Sequence, residues 1–207
     1  MFLLARVRLS QRRHKAAIDL LKGYLGHSSH GAAAHALTAR ALSLHNKVGR
    51  SLRHAQKAVK LAPGEPRYKR LLGEILLRYR RPGEAEKAIR SALSRLPKSA
   101  WCWCLLGDAL WAQNKYNEAL VAYKKGAGLS KDGKAWQASA LDKMGTLLHS
   151  RKRTKKAREI LETCNRLFPK LGCPYTEAAL SPPDPTRPHE RERFVKRRGK
   201  KKRFYEK

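Results

Sequence analysis

Between residues 71 and 79 a stripe of apolar side chains runs through Leu71, Leu72, Ile75, Leu76 and Tyr79. Gaps of three and four predict an amphipathic helix. A second stripe follows at Ala85, Ala88, Ile89, Ala92, Leu93 and Leu96. Pro97 predicts its end, because proline lacks the amide hydrogen and clashes with the preceding turn. The two stripes then recur. Gly73 and Gly107 are 34 residues apart, and the same shift carries Ala85 onto Ala119, Ile89 onto Tyr123 and Ala92 onto Gly126. Backwards, it carries Pro97 onto Pro63, Ala92 onto Ala58 and Gly73 onto Ala39. After four extra residues the pattern resumes as Gly145, Ala157, Leu161, Cys164 and Pro169. A fixed period of this length is the mark of a repeat architecture, in which each helix pair buries its apolar face on the next. Small residues at the crossings let paired helices approach closely.

These residues resemble the tetratricopeptide repeat, a helix–turn–helix unit. The fullest copy holds Trp103, Leu106, Gly107, Tyr116, Ala119 and Tyr123; its neighbour holds Leu72, Gly73, Ala85, Ile89, Ala92 and Pro97. The register predicts units at 32–65, 66–99, 100–133 and 138–171, with a shortened first unit over 1–31 placed by Ala5, Ala17 and Leu21. The 32–65 copy departs most, with Ala39 and Ser51 where Gly and Ala are usual. The resemblance implies an all-α, right-handed superhelical solenoid of about four and a half repeats over residues 1–171. Residues 172–190 are expected to form a cap and a Pro-rich spacer, and 191–207 a basic tail.

Charge changes the picture from a generic solenoid to one with a polyanionic partner. The 207 residues carry 47 Lys and Arg against 16 Asp and Glu, a formal net charge of +31. Residues 1–60 alone hold 12 cationic residues and one acidic one, Asp19. The last 36 residues account for about a fifth of the excess, so the solenoid itself is basic. Solubility alone is served by mixed signs, which residues 1–60 do not have. Such a surface attracts nucleic acid or acidic protein over long range. In the tail, Lys196, Arg197, Arg198, Lys200, Lys201, Lys202 and Arg203 surround one glycine, flanked by Phe194, Phe204 and Tyr205. Cations neutralise phosphates and aromatics stack on unpaired bases, so this run is the candidate nucleic-acid segment. A nuclear-import signal, a solvated tail or a membrane-surface tail are its alternatives.

The resemblance also implies a groove lined by the first helix of each unit, at its second, fifth, ninth, twelfth and thirteenth positions. Those positions are Arg67, Arg70, Glu74, Leu77 and Arg78; then Trp101, Cys104, Asp108, Trp111 and Ala112; then Ser139, Asp142, Thr146, His149 and Ser150. Arg and Trp are common binding anchors, so Arg67, Arg70, Arg78, Trp101, Asp108 and Trp111 form the candidate protein-binding set. Trp103 is expected in the core instead. Members that grip chaperone C-termini combine Lys, Arg and Asn on this face, whereas Asn46, Asn114, Asn117 and Asn165 fall elsewhere in the register.

Catalytic and cofactor signatures are missing from the sequence. It holds no phosphate-cradling glycine loop, nucleophile turn or His-Glu zinc helix. Cys102 and Cys104, two apart on a helix, point away from each other. His27, His30 and His35 lack an Asp, Glu or Cys companion as metal ligands. No enzyme activity, metal or cofactor is therefore expected. No apolar run reaches the length of a membrane span. Phe2-Leu3-Leu4-Ala5 is too short for a secretory signal. The basic first 22 residues fit either a first helix pair or a mitochondrial presequence. The expected setting is intracellular, mitochondrial or cytoplasmic. The expected role is a protein-interaction scaffold, ribosome-associated and in contact with RNA. The alternative is a pure adaptor or assembly factor whose acidic partner fills the groove.

Overall fold

A computed structural model of the chain describes residues 2–27, 31–129 and 134–167. Among these residues there are ten helices and no strand. They pair as α1 (Phe2–Ser10) with α2 (His14–His27), α3 (Ala32–Leu44) with α4 (Val48–Leu61), and α5 (Pro66–Arg78) with α6 (Pro82–Leu93). Then come α7 (Ala100–Ala112) with α8 (Tyr116–Gly128), and α9 (Lys134–Ser150) with α10 (Thr154–Leu167). Each helix packs on the next in the chain. In addition, α1 touches α3, α3 touches α5, α5 touches α7 and α7 touches α9. Among the described residues no second helix touches another second helix. The first helices are therefore the crowded inner layer and the second helices splay outward. This arrangement makes the molecule a curved all-α solenoid with its first helices on the concave side.

Pairing within each unit is decided by one contact sixteen residues apart. A Cβ added at Gly73 would lie 2.5 Å from Ile89, one at Gly107 would lie 2.4 Å from Tyr123, and one at Gly145 would lie 2.5 Å from Leu161. Only hydrogen fits opposite these large side chains. The same offset joins Ala39 to Ala55, where both partners are small, and Ala5 to Leu21. All four of those residues are fully buried. The departures at 32–65 are thus matched: Ala39 faces a smaller partner. The buried Ser51 hydroxyl donates to the Ala39 carbonyl at 2.7 Å, so it is not left unpaired. The extra four residues before Gly145 are absorbed as one more turn of helix. α9 has 17 residues where α3, α5 and α7 have 13 each. One added turn returns the chain to nearly the same face.

The turn inside every pair has one conformation. Arg12, Asn46, Arg80, Asn114 and Lys152 all have positive φ, between 56° and 63°. The amide of the following residue donates back five residues: Arg13 to Arg8, Lys47 to Leu42, Arg81 to Leu76, Lys115 to Leu110 and Arg153 to Leu148, at 2.8–3.0 Å. This is a helix C-cap closed by a left-handed residue, a position usually held by Gly or Asn. On the opposite edge, Glu65 and Ser99 cap α5 and α7 with their side chains. The helices that start at the inner turns have Lys47, Arg81 and Lys115 at that position, with no side-chain cap.

Among the described residues no helix is long and apolar enough to cross a membrane. α1 and α2 pack on α3 through Ala5, Ile18 and Leu21. The expected cap, spacer and basic tail lie outside the described residues.

Candidate functional site

The inner face begins with arginines. Arg40 on α3 and Arg67 and Arg70 on α5 lie close enough for their charges to act on one another, with Glu74 as the neighbouring anion. Arg78, at the end of α5, donates from Nη1 to Ser43 Oγ on α3 at 2.8 Å. Arg70 turns toward α7. Its guanidinium carbon sits 3.4 Å from the ring centre of Trp101, a stacked cation–π contact. Arg70 Nη1 is buried and has no hydrogen-bond partner. Burial pushes its pKa down from the ordinary arginine range, against the pull of the Cys102 thiol and Glu74. The group stays cationic, with a donor oriented but unused.

The middle of the face is aromatic. Trp101 and Trp111 are both partly buried and pack against the main core cluster. Asp108 is committed to structure. It accepts from the Tyr123 hydroxyl at 2.7 Å and pairs with Lys143 of α9. It therefore ties three helices together, and its partners are a tyrosine and a lysine rather than an arginine. Further along, Thr146 bonds back to the Asp142 carbonyl and Ser150 to that of Leu147. His149 and Asp142 each hold a buried polar atom at this end.

Of the candidate groove residues, the structure brings Arg70 and Trp101 together and places Arg67 beside them. Arg78 lies at the far end of the same helix and reaches across to Ser43 of α3. Two expectations change. Cys104 is buried rather than groove-facing, packed toward Gly126 of α8; its thiol is pushed up to about 11 by burial. Trp103 is only partly buried. Its indole nitrogen donates to the Pro97 carbonyl at 2.9 Å, and Lys125 covers its outer face. A tryptophan is too large to disappear into a two-helix crossing of this size. Arg40 was not among the predicted groove residues. It occupies the ninth position of the 32–65 copy, and the register itself points to it.

The histidines behave as packing residues. His35 is buried on α3, with Nδ1 3.0 Å from Nδ1 of His54 on α4. The side chains of His27 and His30 lie outside the described set. Among the described residues no three His, Cys, Asp or Glu converge on a metal-sized point. Lys196, Arg197, Arg198, Lys200, Lys201, Lys202 and Arg203 also lie outside it.

A curved stack of helix pairs with an inner face of arginine and tryptophan belongs to the class of helical-repeat interaction scaffolds. Three family models described as tetratricopeptide repeat match residues 2–66, 66–109 and 102–132, so most of the chain is covered. The chain is a member of the tetratricopeptide repeat family, whose members are generally non-enzymatic scaffolds for protein–protein interaction. No curated protein sequence matches it significantly. Among solved structures it is similar to MamA from Desulfovibrio magneticus RS-1, with a TM-score of 0.69 and 19% identity over 79% of this chain and 90% of that one. It is equally similar to PilF of Pseudomonas aeruginosa, with a TM-score of 0.69 and 21% identity over 83% of this chain and 74% of that one. YrrB, described as a TPR protein with an unusual peptide-binding site, has a TM-score of 0.62 and 17% identity over 82% and 85% of the two chains. At these identities the likeness concerns the fold.

Proposed function

We propose that this chain is a protein-docking scaffold in an RNA-containing assembly, associated with the ribosome. In this reading residues 1–171 form the binding solenoid, in units near 1–31, 32–65, 66–99, 100–133 and 138–171. Residues 172–190 cap and space it, and 191–207 form a basic RNA-contacting tail. The observation that carries the docking half is the Arg70–Trp101 stack, flanked by the exposed Arg40 and Arg67. Arginine presents a planar fork of donors that matches a carboxylate, so an extended acidic segment of a partner fits this face. That the structural neighbour YrrB is described with a peptide-binding site agrees with such use of the fold. The RNA half rests on stoichiometry. With 47 cationic and 16 acidic side chains, internal pairing leaves most of the positive charge for a polyanion. Such charge favours phosphate backbone without reading base sequence.

The test is a pull-down of the full chain at near-physiological salt, with and without ribonuclease, reading both bound RNA and bound protein. Structured RNA, with co-purifying proteins released by ribonuclease, supports the assembly. Retention of one acidic protein regardless of ribonuclease defeats the RNA half and favours a pure adaptor or assembly factor working through the groove.

A further inference from the structure

The five inner turns carry a pattern that the groove does not use. They consist of residues 11–13, 45–47, 79–81, 113–115 and 151–153, and they share one backbone conformation. All five therefore emerge on the same edge of the solenoid, one per helix pair. Their cationic residues are Arg12, Arg13, Lys47, Arg80, Arg81, Lys115, Arg151, Lys152 and Arg153, and they contain no acidic residue. All nine are exposed. The connections on the other edge differ: residues 62–65 and 94–99 hold Arg95 and Lys98 as their only cations, together with Glu65 and two prolines.

Local stability does not explain this edge. A left-handed residue at a helix end favours Gly or Asn, because the Cβ of other residues crowds the carbonyl. The chain uses Asn at Asn46 and Asn114 but Arg or Lys at Arg12, Arg80 and Lys152. The next residue starts a helix, where Ser, Thr, Asp or Asn would cap and a cation opposes the helix dipole. It is Arg13, Lys47, Arg81, Lys115 and Arg153 in the five turns. Sequence rules broken repeatedly in one direction, at equivalent positions, mark a surface kept for something other than folding.

Aromatic rings are interleaved with these charges. Tyr79, 45% exposed, precedes Arg80. Tyr116 follows Lys115; its hydroxyl donates to Asn114 Oδ1 at 2.6 Å, and Arg151 of the next pair lies 4.7 Å over its ring. A cleft of about 240 Å³ opens there, lined by Asn114, Lys115, Tyr116, Asn117, Glu118 and Arg151. Three of the nine cations are already engaged, Arg81 with Glu84, Lys115 with Glu86 and Arg151 with the Tyr116 ring.

We infer that this turn edge is a track for single-stranded RNA, with Arg12, Arg80 and Lys152 among its phosphate contacts and the exposed Tyr79 a stacking platform. The inference rests on the RNA reading proposed above and moves its site onto the folded solenoid. Six of the nine cations are arginines, the residue suited to phosphate. Evenly repeated charge with interposed rings suits a flexible polyanion carrying bases. An acidic protein supplies the charge but no bases for the rings.

The experiment measures binding of the full chain to a 20-nucleotide oligouridylate over a range of salt. The variant replaces Arg12, Arg80 and Lys152 with Asn. Asn is the residue the chain itself uses at Asn46 and Asn114, so folding is retained and the melting temperature should hold or rise. Each phosphate contact contributes about 0.7 to the salt slope on single strands, so losing three should flatten it by about two and weaken binding on the order of tenfold or more. The control replaces Lys60, Arg95 and Lys98 with Gln on exposed positions away from the inner turns, and it should leave the slope within half that change. Tyr79→Ser should weaken binding with little change of slope. If wild type binds steeply but the Asn triple variant matches it while deletion of 191–207 removes binding, the track is wrong and the RNA reading stands. If wild type shows no binding to oligouridylate, both fall. If polyglutamate of equal charge binds as tightly and loses as much in the triple variant, the edge belongs to an acidic protein and the RNA assignment is overturned.

Discussion

At the scale of single residues, function and stability are set by how little room the inner crossings leave. Gly107 lies against Tyr123, whose ring is fully buried and whose hydroxyl is held by Asp108. The ring cannot step aside for a methyl group. Gly107→Ala gains about 1 kcal/mol of helix propensity but forces an overpacked contact that typically costs about 1–3 kcal/mol. Net destabilisation of up to about 2 kcal/mol is expected. Gly23→Ala on α2 meets nothing within 4 Å, so it should stabilise by up to about 1 kcal/mol. Urea denaturation of the two variants separates them, and equal shifts in the same direction would refute the packing argument. His54 makes a second residue-scale prediction. Burial lowers its pKa below the usual 6.5, helped by His35, Lys57 and Arg53. The unfolded chain therefore takes up a proton at a higher pH than the folded one. The stability this brings is complete above pH 6.5 and is lost as pH falls through the lowered value. His54→Gln should flatten the decline in melting temperature between about pH 7 and pH 5; parallel curves for the two proteins would contradict it.

At the scale of elements, each unit is two helices and a turn, and the turn is the part most exposed to selection for something else. The left-handed position costs an ordinary residue roughly 1 kcal/mol more than Asn or Gly. Asn46→Ala should therefore lose about that much stability, while Arg80→Asn should gain a comparable amount. Thermal melts of both variants against wild type check this, and a destabilised Arg80→Asn would show that the arginine holds a structural contact after all. The helices themselves were readable from the chain. The three- and four-residue spacing over 71–79 and 85–96 falls on α5 and α6, because the apolar stripe of a packed helix is dictated by burial. The insertion before Gly145 was visible as a break in the period. Its resolution as an added helical turn was not, since counting residues cannot distinguish a longer loop from a longer helix.

At the scale of the whole molecule, the contacts between successive first helices bring Arg70 of α5 against Trp101 of α7 and Arg78 of α5 against Ser43 of α3. Trp101 then has two roles, covering the core and holding Arg70 in place. Trp101→Phe keeps a ring for Arg70, whereas Trp101→Leu removes it and leaves a smaller aliphatic side chain on the core. Partner capture by the full chain should survive the first and fall at least fivefold in the second, with melting temperatures within a few degrees of each other. Equal capture by both would remove the stack from the docking surface. The candidate site was legible only in part. Arg70 and Trp101 could be placed on one face by position in the repeat, but their contact crosses between units and depends on how the units stack. Cys104 occupied a groove position by the same count and is turned into the α7–α8 contact instead, because Gly126 leaves room there.

The sequence alone determined the repeat, its period, the helices and the excess of positive charge, because helical periodicity and small residues at crossings are local properties written into each 34-residue unit. Tertiary structure decided what those residues face. Stacking makes one helix layer concave, turns Asp108 from a groove anion into a tie between three helices, and brings five separate turns onto one edge. Each of these relations joins residues from different units, and a linear pattern carries no angle between units. That angle comes only from the packed volumes on either side of each crossing.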